Sequence, residues 1–118
     1  MANVADQAAG QAHPGWTDLF REYDDGFRGT SPVGAFPPNA FGLHDMAGNV
    51  FRWTITLYRP YPYDADDGRE TPDSPDRRVL RGGSWVTGPR GLRISYRVPD
   101  DPRDEDDNHG FRCVQSTS

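Results

Sequence analysis

Few side chains in this sequence can bind a transition metal or act as a nucleophile. The chain has one cysteine, Cys113, and three histidines, His13, His44 and His109, which lie far apart and share no ligand spacing. A single cysteine cannot form an intramolecular disulfide framework or a zinc cage of several thiolates. No nucleophile elbow, phosphate-binding loop or dinucleotide fingerprint occurs. We therefore interpret the histidines as ordinary surface or hydrogen-bonded residues, and Cys113 as a small buried side chain in a closing strand.

Carboxylates are plentiful, which makes a hard cation such as calcium the better metal candidate. Ca²⁺ binds about six to eight oxygens from carboxylates, amides and main-chain carbonyls, and irregular loops supply these well. Fifteen of the 18 acidic residues are Asp. The acidic stretch from Asp104 to Gly110 begins like an EF-hand loop, but its glycine falls one position late and no bidentate Glu follows. We interpret that stretch as a solvated loop.

The charge and hydropathy of the chain exclude several classes of function. The net charge is −5 and the sequence pI is about 5.0, so nucleic acid is excluded as a general partner. No run approaches the ~18–20 apolar residues of a membrane span, and the chain start lacks the basic and apolar regions of a secretory signal. We expect no membrane contact and a cytoplasmic location by default. All 13 basic residues are Arg, which suits planar Arg–Asp pairs bracing loops; codon bias of a GC-rich genome is the alternative explanation.

Short elements must position these residues, because no segment shows a long helical period of apolar residues. The segment Leu92–Arg97 fits either a strand or a single helical turn. We expect less than a quarter of the chain to be helical. Runs of β-branched and aromatic residues predict strands at Val50–Tyr58, Arg78–Trp85 and Gly110–Val114. The predicted core consists of Trp53, Trp85, Phe41, Leu43, Leu80 and Phe111.

Three ordered segments carry a family pattern: FPPNAFGLHDMAGNVFRW at residues 36–53, VLRGGSW at 79–85 and GFRCV at 110–114. Together they resemble the formylglycine-generating-enzyme, or sulfatase-modifying factor, family, whose domain is a variant of the C-type lectin fold. The resemblance implies an α+β, C-type lectin-like fold with short strands, long loops and little helix. It covers residues 1–118 as a single domain that matches the C-terminal portion of a family domain. The chain is then a short natural version, half of a split domain or an excised piece.

The resemblance implies a calcium site near the chain start, although Asp25 is also typical of a turn. A second family site runs along residues 47–50, with Asn49 as the candidate ligand, and ends in a glutamate where this chain has Arg52. A guanidinium cannot bind calcium and repels it, so we expect the second site to be lost and Arg52 to form a salt bridge instead. The ligands of the first site would be the Asn3 side chain, the Val4 carbonyl, the Asp25 carboxylate and the Phe27 carbonyl.

Catalysis in this family requires ligands that the chain lacks. Family enzymes that make formylglycine bind copper through two cysteines, and the matching positions here are Thr87 and Leu92. Neither side chain is a thiolate, and Cu(I) prefers soft sulfur ligands, so no copper is expected. Relatives of the ergothioneine sulfoxide synthase type take iron ligands from an additional helical domain, for which this chain has no room. We assign no catalytic residue.

The stretch between Trp85 and Gly110 lines the ligand-facing surface of the family fold. Arginine and aromatic side chains are enriched at binding surfaces, so the candidate ligand-binding residues are Trp85, Arg90, Tyr96 and Arg103. Arg93 and Arg112 lie within the motif segments and are expected to pair internally with Asp. Eight residues are also of types that fit the randomised surface of a retroelement variable protein: Tyr96, Asp100, Asp101, Asp104, Asp106, Asp107, Asn108 and His109.

Two functions remain open. The first is a non-catalytic ligand- or protein-binding module on this scaffold, with the retroelement variable protein as a special case. The alternative is an enzyme, or a fragment of one, of the formylglycine-generating or iron-dependent oxidase type, which needs a partner chain to supply the missing half and the missing ligands. A partial domain leaves strand edges and apolar surface uncovered, so we expect a homo-oligomer or a hetero-complex.

Overall fold

Four short strands form one sheet, and long loops connect them. The computed structural model describes residues 1–117, and its elements are α1 (Gln7–Ala12), β1 (Phe51–Leu57), β2 (Arg78–Arg81), β3 (Val98–Asp100) and β4 (His109–Gly110). The strand order is β3-β2-β1-β4; β2 is antiparallel to β1 and β3, and β4 is parallel to β1. The helix has six residues. The small, loop-rich α+β fold predicted from the sequence is confirmed.

The centre of the sheet is the antiparallel pair of β1 and β2. The β1 sequence, FRWTITL, is rich in β-branched and aromatic side chains, which suit a pleated, half-buried surface. Trp53 pairs with Leu80, and the Thr54 hydroxyl donates to the Val79 carbonyl at 2.9 Å. Leu57, Val79 and Leu80 are almost fully buried. This strand pair therefore supplies much of the apolar core.

The predicted strand boundaries need correction, least for β1 and most for β4. The strand predicted at Val50–Tyr58 is one residue shorter at each end. The strand predicted at Arg78–Trp85 ends before Gly82, because Gly82 (φ 92°) and Gly83 (φ 69°) adopt left-handed backbone values that turn the chain away from the sheet. The closing strand predicted at Gly110–Val114 is wrong beyond its first residue, since β4 is the two-residue pairing of His109–Gly110.

No sequence pattern marks β3. Its three residues include Pro99, which cannot donate to a strand ladder and is tolerated only at an edge. β3 is an edge strand, hydrogen-bonded to β2 on one side. The segment Leu92–Arg97, which by sequence fits a strand or a helical turn, is a turn in which the Tyr96 N–H donates to the Arg93 carbonyl at 2.9 Å.

The helix α1 escapes prediction because it is short and has no apolar period. It begins at an Asp6 cap, where Asp6 Oδ1 accepts the Ala9 N–H at 3.0 Å. Hydrogen bonds from Phe20 N–H to the Ala5 carbonyl (2.8 Å) and from Gln7 N–H to the carbonyl of residue 23 (3.0 Å) attach this region to the following loop. The chain start is therefore part of the core. Across the described residues, no helix has the length and apolarity needed to span a membrane.

Three of the six predicted core residues are exposed, so the predicted core is only partly right. Leu80 is buried as predicted, and Trp53 and Trp85 are half-buried. The residues that do not belong to the core are Phe41 (88% exposed), Phe111 (78%) and Leu43 (41%).

Hydrogen bonding of the loops explains these exposed positions. Asn39 Oδ1 accepts the N–H groups of Phe41 (2.9 Å) and Leu43 (3.1 Å), which folds this segment into a tight surface turn. Phe111 follows β4 and lies outside the sheet, and Cys113 beyond it is exposed, which corrects the interpretation of that thiol as buried. Burial falls instead on small residues at the chain start: Val4, Ala5 and Ala9.

Candidate functional site

The start of the chain packs against the loop of residues 23–29. Asp25 Oδ2 accepts the Val4 N–H at 2.9 Å, across 21 sequence positions, and Asp25 Oδ1 accepts the Phe27 N–H at 2.8 Å. The Asn3 amide donates through Nδ2 to the Gly29 carbonyl at 2.8 Å. The structure thus brings together the four residues that the family resemblance implies for a calcium site.

The oxygens in this contact have unused acceptor capacity. Asn3 is only 1% exposed, and its Oδ1 has no hydrogen-bond partner within residues 1–117. No hydrogen bond in the same part of the chain uses the carbonyl oxygens of Val4 or Phe27. Leaving a buried polar atom unpaired costs about 1–3 kcal/mol. A cation bound by Asn3 Oδ1 would remove that cost, and the oxygen donors present here are of the types that suit a calcium ion.

Two carboxylates meet at the same contact. Asp6, which is wholly buried, accepts the Asp25 N–H through Oδ2. Burial raises the pKa of Asp25 and the charge of Asp6 raises it further, against the lowering effect of the two N–H groups that Asp25 accepts. Neither carboxylate forms an ion pair with an Arg or His of residues 1–117. The contact therefore holds negative charge with no cationic side chain to balance it.

Calcium at this contact would depend on amide and main-chain oxygens as well as carboxylates. Among the described residues there is no group of three or more His, Cys, Asp or Glu side chains that could hold a metal. Such a donor set of neutral oxygens with few carboxylates suits Ca²⁺ better than a transition metal.

At the second family position, protein groups already use the available atoms. Asn49 Oδ1 accepts N–H groups from Ser31 (2.9 Å) and Asn3 (3.3 Å), and its Nδ2 donates to the Ser31 carbonyl at 3.2 Å. Arg52 donates to the main-chain carbonyls of residues 45 and 46. It forms no ion pair within residues 1–117, so the salt bridge expected for Arg52 is wrong. Neutral carbonyls of the neighbouring turn are its partners instead.

Thr87 and Leu92, the two positions that correspond to copper-binding cysteines, both approach Gly83. A Cβ atom placed on Gly83 would be 2.9 Å from Leu92 Cδ1 and 3.2 Å from Thr87 Cγ2. Thr87 is buried, and its hydroxyl accepts the Ser84 N–H at 2.9 Å. These side chains place hydrocarbon and one engaged hydroxyl where a pair of thiolates would be needed. The single thiol of the chain, Cys113, is exposed elsewhere.

Two of the four predicted ligand-binding residues contact residues that line one surface depression of about 580 Å³. Trp16 lines it, stacks on His13 with ring centroids 4.2 Å apart and lies 5.9 Å from the Trp85 ring. Asp18 also lines it and pairs with Arg90 at 3.8 Å between Oδ1 and Nε. Trp85 and Arg90 are therefore on neighbouring parts of one surface.

The other two predicted ligand-binding residues have different surroundings. Tyr96 packs against Gly91, where an added Cβ would be 3.4 Å from the tyrosine ring. Arg103 pairs with Asp101, and its hydrogen bond holds the pKa of that carboxyl well below its usual range. No hydrogen bond, ion pair or ring contact of residues 1–117 joins Arg103 to Trp85.

The internal Asp pairs expected for Arg93 and Arg112 are wrong. Arg93 Nε donates to the Arg90 carbonyl at 2.9 Å, and Arg112 Nη2 donates to the His44 carbonyl at 2.5 Å. The carbonyls of nearby turns are within reach of these guanidinium groups, while loop aspartates such as Asp45 accept main-chain N–H groups.

Sequence reasoning also missed Asp6 and the grouping of Arg52, Arg81 and Arg93 around one cleft. Asp6 could have been found as a helix cap, because it directly precedes an Ala-rich run. The arginines are separated by long loops, and no spacing rule brings them together.

Comparisons with known proteins show the family of the chain. The chain matches the sulfatase-modifying factor enzyme 1-like domain over residues 1–117. It belongs to that family. Inactive C-alpha-formylglycine-generating enzyme 2 of Mus musculus is 41% identical over 110 residues, which are 86% of this chain and 32% of that protein. The formylglycine-generating enzyme of Bos taurus is 37% identical over 96 residues, 77% of this chain and 25% of that protein.

Solved structures of the formylglycine-generating-enzyme fold are also similar. PvdO from Pseudomonas aeruginosa superposes with a TM-score of 0.60 at 34% identity, covering 75% of this chain and 34% of that chain. Treponema denticola variable protein 1 superposes with a TM-score of 0.57 at 34% identity, covering 70% of this chain and 31% of that chain. The chain thus spans about a third of the length of these family members or less.

In this chain, the eight residues that fit a retroelement variable surface differ in their exposure and in their contacts. Asp101 and the loop that follows it to Asp107 lie mostly at the surface. His109, in contrast, pairs with Asp100 at 3.5 Å between Nε2 and Oδ2, and its ring packs edge-on against Trp53. The exposed loop is therefore more tolerant of substitution than the residues fixed against the sheet.

Proposed function

We propose that this chain is a non-catalytic binding module on the formylglycine-generating-enzyme scaffold. The observation that carries the proposal is that Thr87 and Leu92, which both approach Gly83, stand at the positions that correspond to the copper-binding cysteines and offer no soft ligand. The name of the murine relative, an inactive formylglycine-generating enzyme, is consistent with loss of activity in this family. Another relative is named as a formylglycine-generating enzyme, which supports the alternative that this chain is a fragment of an enzyme.

Copper binding distinguishes the two functions. We expect the variant Thr87→Cys/Leu92→Cys to bind a stoichiometric amount of Cu(I), because both side chains contact Gly83 and two thiolates there would form a soft chelate. Cys113 should be replaced by Ser in every sample, since an exposed thiol binds copper by itself. The measurement is competition with a chromophoric Cu(I) chelator, and the single variant Leu92→Cys is the matched control.

The parent chain decides between the functions in the same assay. With Cys113→Ser alone, we expect no stoichiometric Cu(I) binding and no conversion of a cysteine-containing peptide to formylglycine. Tight copper binding by this protein, or peptide oxidation after mixing with an N-terminal segment of a longer relative that is inactive by itself, would contradict the non-catalytic proposal and favour the enzyme fragment.

Calcium is the cofactor that we propose for the module. Asn3, Val4, Asp25 and Phe27 would hold the ion with their side-chain and main-chain oxygens. The bound ion would supply positive charge near the Asp6 and Asp25 carboxylates and would fix the chain start to the loop of residues 23–29. The role is structural, since it stabilises the scaffold that presents the binding surface.

The binding surface that we propose includes Trp85 and Arg90 beside the depression lined by Trp16 and Asp18. Aromatic rings and exposed guanidinium groups are typical of binding surfaces, and the Arg90 side chain is almost fully exposed. Tyr96 and Arg103 belong to the same C-terminal stretch of the chain and lie at other parts of the surface. A retroelement variable protein is the special case, supported by the similarity to the Treponema variable protein, and a near-identical template repeat beside the gene would establish it.

We further propose that the module self-associates through an exposed apolar patch at Val33 and Phe111. The two side chains are 90% and 78% exposed and line one shallow depression. Burying a phenylalanine contributes about 1.5–3 kcal/mol, so Phe111→Ser should weaken a dimer at least tenfold. Sizing with light scattering over a dilution series measures this. Ile55→Ser, which removes another exposed side chain, is the control and should leave the dimer intact. A monomer at tens of micromolar for the parent chain would refute self-association.

A further inference from the structure

A second depression, of about 520 Å³, lies between the 46–47 turn, the end of β2 and the turn that follows Leu92. Its basic lining residues come from three separate elements, and none of its lining residues is acidic. We call it the arginine cleft, and its defining residues are Arg52, Arg81 and Arg93, with Met46, Leu92 and Ile94 as its larger apolar side chains.

The Arg52 guanidinium is fixed in the floor of the arginine cleft. It donates to the carbonyls of Asp45 and Met46. It also occupies the space above Gly82: a Cβ atom there would overlap the guanidinium and lie 3.0 Å from the Met46 carbonyl oxygen. Gly82 therefore cannot be replaced without displacing Arg52. A positive charge held in this way is preorganised for a ligand.

The other two arginines have neutral partners as well. Arg81 donates from Nη1 to the Ile94 carbonyl at 3.1 Å and from Nη2 to the Tyr61 hydroxyl at 3.5 Å. Arg93 uses only its Nε, at 2.9 Å from the Arg90 carbonyl. None of the three forms an ion pair with a carboxylate anywhere in residues 1–117. A guanidinium has five N–H donors, so unused donors remain in each.

No carboxylate lines the arginine cleft, and its three arginines form no ion pair with any acidic residue that the structure describes, even though the protein as a whole is acidic. Burial lowers the pKa of Arg52, and the positive charge of Arg112 lowers it further, with Asp45 acting in the opposite direction. The Asp45 carboxylate is meanwhile engaged by the Gly34 N–H at 2.8 Å. Positive charge grouped in a concave site on an acidic protein focuses a favourable potential for anions.

We propose that the arginine cleft binds a small organic anion, with its phosphate or carboxylate group at Arg52, Arg81 and Arg93 and an apolar group against Met46, Leu92 and Ile94. This inference rests on the proposed binding role and names the ligand class for a site distinct from the Trp85 surface. Guanidinium groups match planar carboxylates and phosphates through paired hydrogen bonds. The exposed side chain of Ile94 and the half-buried Leu92 provide the apolar contact.

Titration of the whole chain with four probes tests the proposal. Phenyl phosphate and benzoate each carry the two required groups, inorganic phosphate lacks the apolar group, and benzyl alcohol lacks the charge. At low salt we expect the better organic anion to bind with a Kd of about 0.1–1 mM, a range reasonable for so small a ligand. Inorganic phosphate should bind about tenfold more weakly than phenyl phosphate, and benzyl alcohol should show no saturation. Backbone amide shifts in NMR report both affinity and location.

Arg93 is the position to vary, because its side chain is exposed and makes one hydrogen bond, so its replacement should change stability little. Arg93→Gln should weaken binding of the organic anion about fivefold, as expected for a partly screened charged hydrogen bond. Arg93→Lys should recover part of the loss. Arg77→Gln removes the same charge from an exposed site outside the cleft and should change binding less than twofold. Raising the salt concentration should weaken binding several-fold.

The outcomes are distinct from those of the copper assay. Failure of both organic anions to saturate, equal binding of benzyl alcohol, or equal losses in Arg93→Gln and Arg77→Gln would overturn the anion site and leave the non-catalytic proposal standing. Amide shifts confined to Gly82, Leu92 and Ile94 would support it. Copper binding by the parent chain would overturn the non-catalytic proposal, and the titration with the four probes would still decide the anion site.

Discussion

Replacing Gly48 by alanine is expected to destabilise the protein by about 3–4 kcal/mol, a large part of the roughly 5–10 kcal/mol typical of a small domain. An added Cβ would overlap the Asn3 carbonyl oxygen and lie 3.0 Å from the Asn3 carbonyl carbon and 3.2 Å from Val4 Cγ1. The Gly48 φ of 77° adds strain of about 1–2 kcal/mol for any residue with a side chain. Urea unfolding followed by tryptophan fluorescence measures the change.

The backbone around Gly48 cannot easily move away from the new methyl group. The Asn3 carbonyl accepts the Asn49 N–H at 2.7 Å, and the Gly48 N–H donates to the Gly82 carbonyl at 2.8 Å. Displacing Asn3 would break the first of these bonds and disturb the buried chain start. The cost is therefore expected from three sources at once: backbone strain, steric overlap and lost hydrogen bonds.

Gly42→Ala separates strain from overlap. Gly42 has φ 76°, almost the same as Gly48, but nothing lies within 4 Å of an added Cβ. This variant should lose only the strain contribution of about 1–2 kcal/mol. Equal losses in the two variants would mean that the chain start does not pack over Gly48 as described.

Local sequence patterns predict an element well where the composition of that segment determines its secondary structure. The β-branched and aromatic run of β1 predicts that strand to within one residue at each end, because these side chains suit a pleated, half-buried surface. The paired glycines at 82 and 83 fall within a predicted strand, but their left-handed backbone ends that strand before Gly82. Sequence composition does not distinguish a glycine inside a strand from one that terminates it.

Burial was harder to predict than the fold. Phe41 and Phe111 are large aromatic residues of the kind that usually belong to a core, yet both lie at the surface. The turn formed by Asn39 exposes Phe41, and the early end of β4 exposes Phe111. Conversely, Asn3 and Asp6 are polar and nearly terminal, and they are among the most buried side chains. Loop paths decide which residues are covered, and these paths depend on hydrogen bonds between distant segments that no local pattern encodes.

The four residues predicted to bind calcium lie near one another. This grouping follows from the family resemblance, and no sequence pattern alone predicts it. Val4 and Asp25 meet through one hydrogen bond across 21 positions. The part of the site that sequence reasoning missed is Asp6, whose charge raises the pKa of Asp25. Charge repulsion between two neighbouring carboxylates is the feature that makes a cation energetically useful at this contact.

Removing calcium is expected to lower the melting temperature substantially. A ligand that binds only the folded state stabilises it by RT ln(1 + [L]/Kd), about 2.7 kcal/mol at a hundredfold excess over Kd. For a domain of this size, that corresponds to a shift of roughly 10 °C. Metal-free protein, prepared with a chelator that is then removed, should melt lower, and added Ca²⁺ should restore the value. Mg²⁺ should restore it poorly, because it prefers a tight octahedron and keeps its waters.

The calcium response should depend on pH through Asp25. The folded-state pKa of Asp25 is raised above its ordinary value of 3.8, so metal-free folded protein binds this proton more tightly than unfolded protein does. Stability of the metal-free protein from this group therefore falls as pH rises from 3.8 through the raised pKa. Calcium needs the deprotonated carboxylate, so the calcium-induced shift in melting temperature should grow over the same interval.

Two adjacent aspartates allow a matched test of the calcium site. Asp25→Asn removes the charge at the proposed ligand and should abolish most of the calcium response and its pH dependence. Asp24→Asn removes the same charge one position earlier, where the exposed carboxylate only accepts the Gly26 N–H at 2.9 Å, and should respond like the parent chain. Indifference of the parent protein to calcium would refute the proposed ion, and so would equal responses in the two variants. Asp25 would then serve only as the acceptor that ties Val4 and Phe27 together.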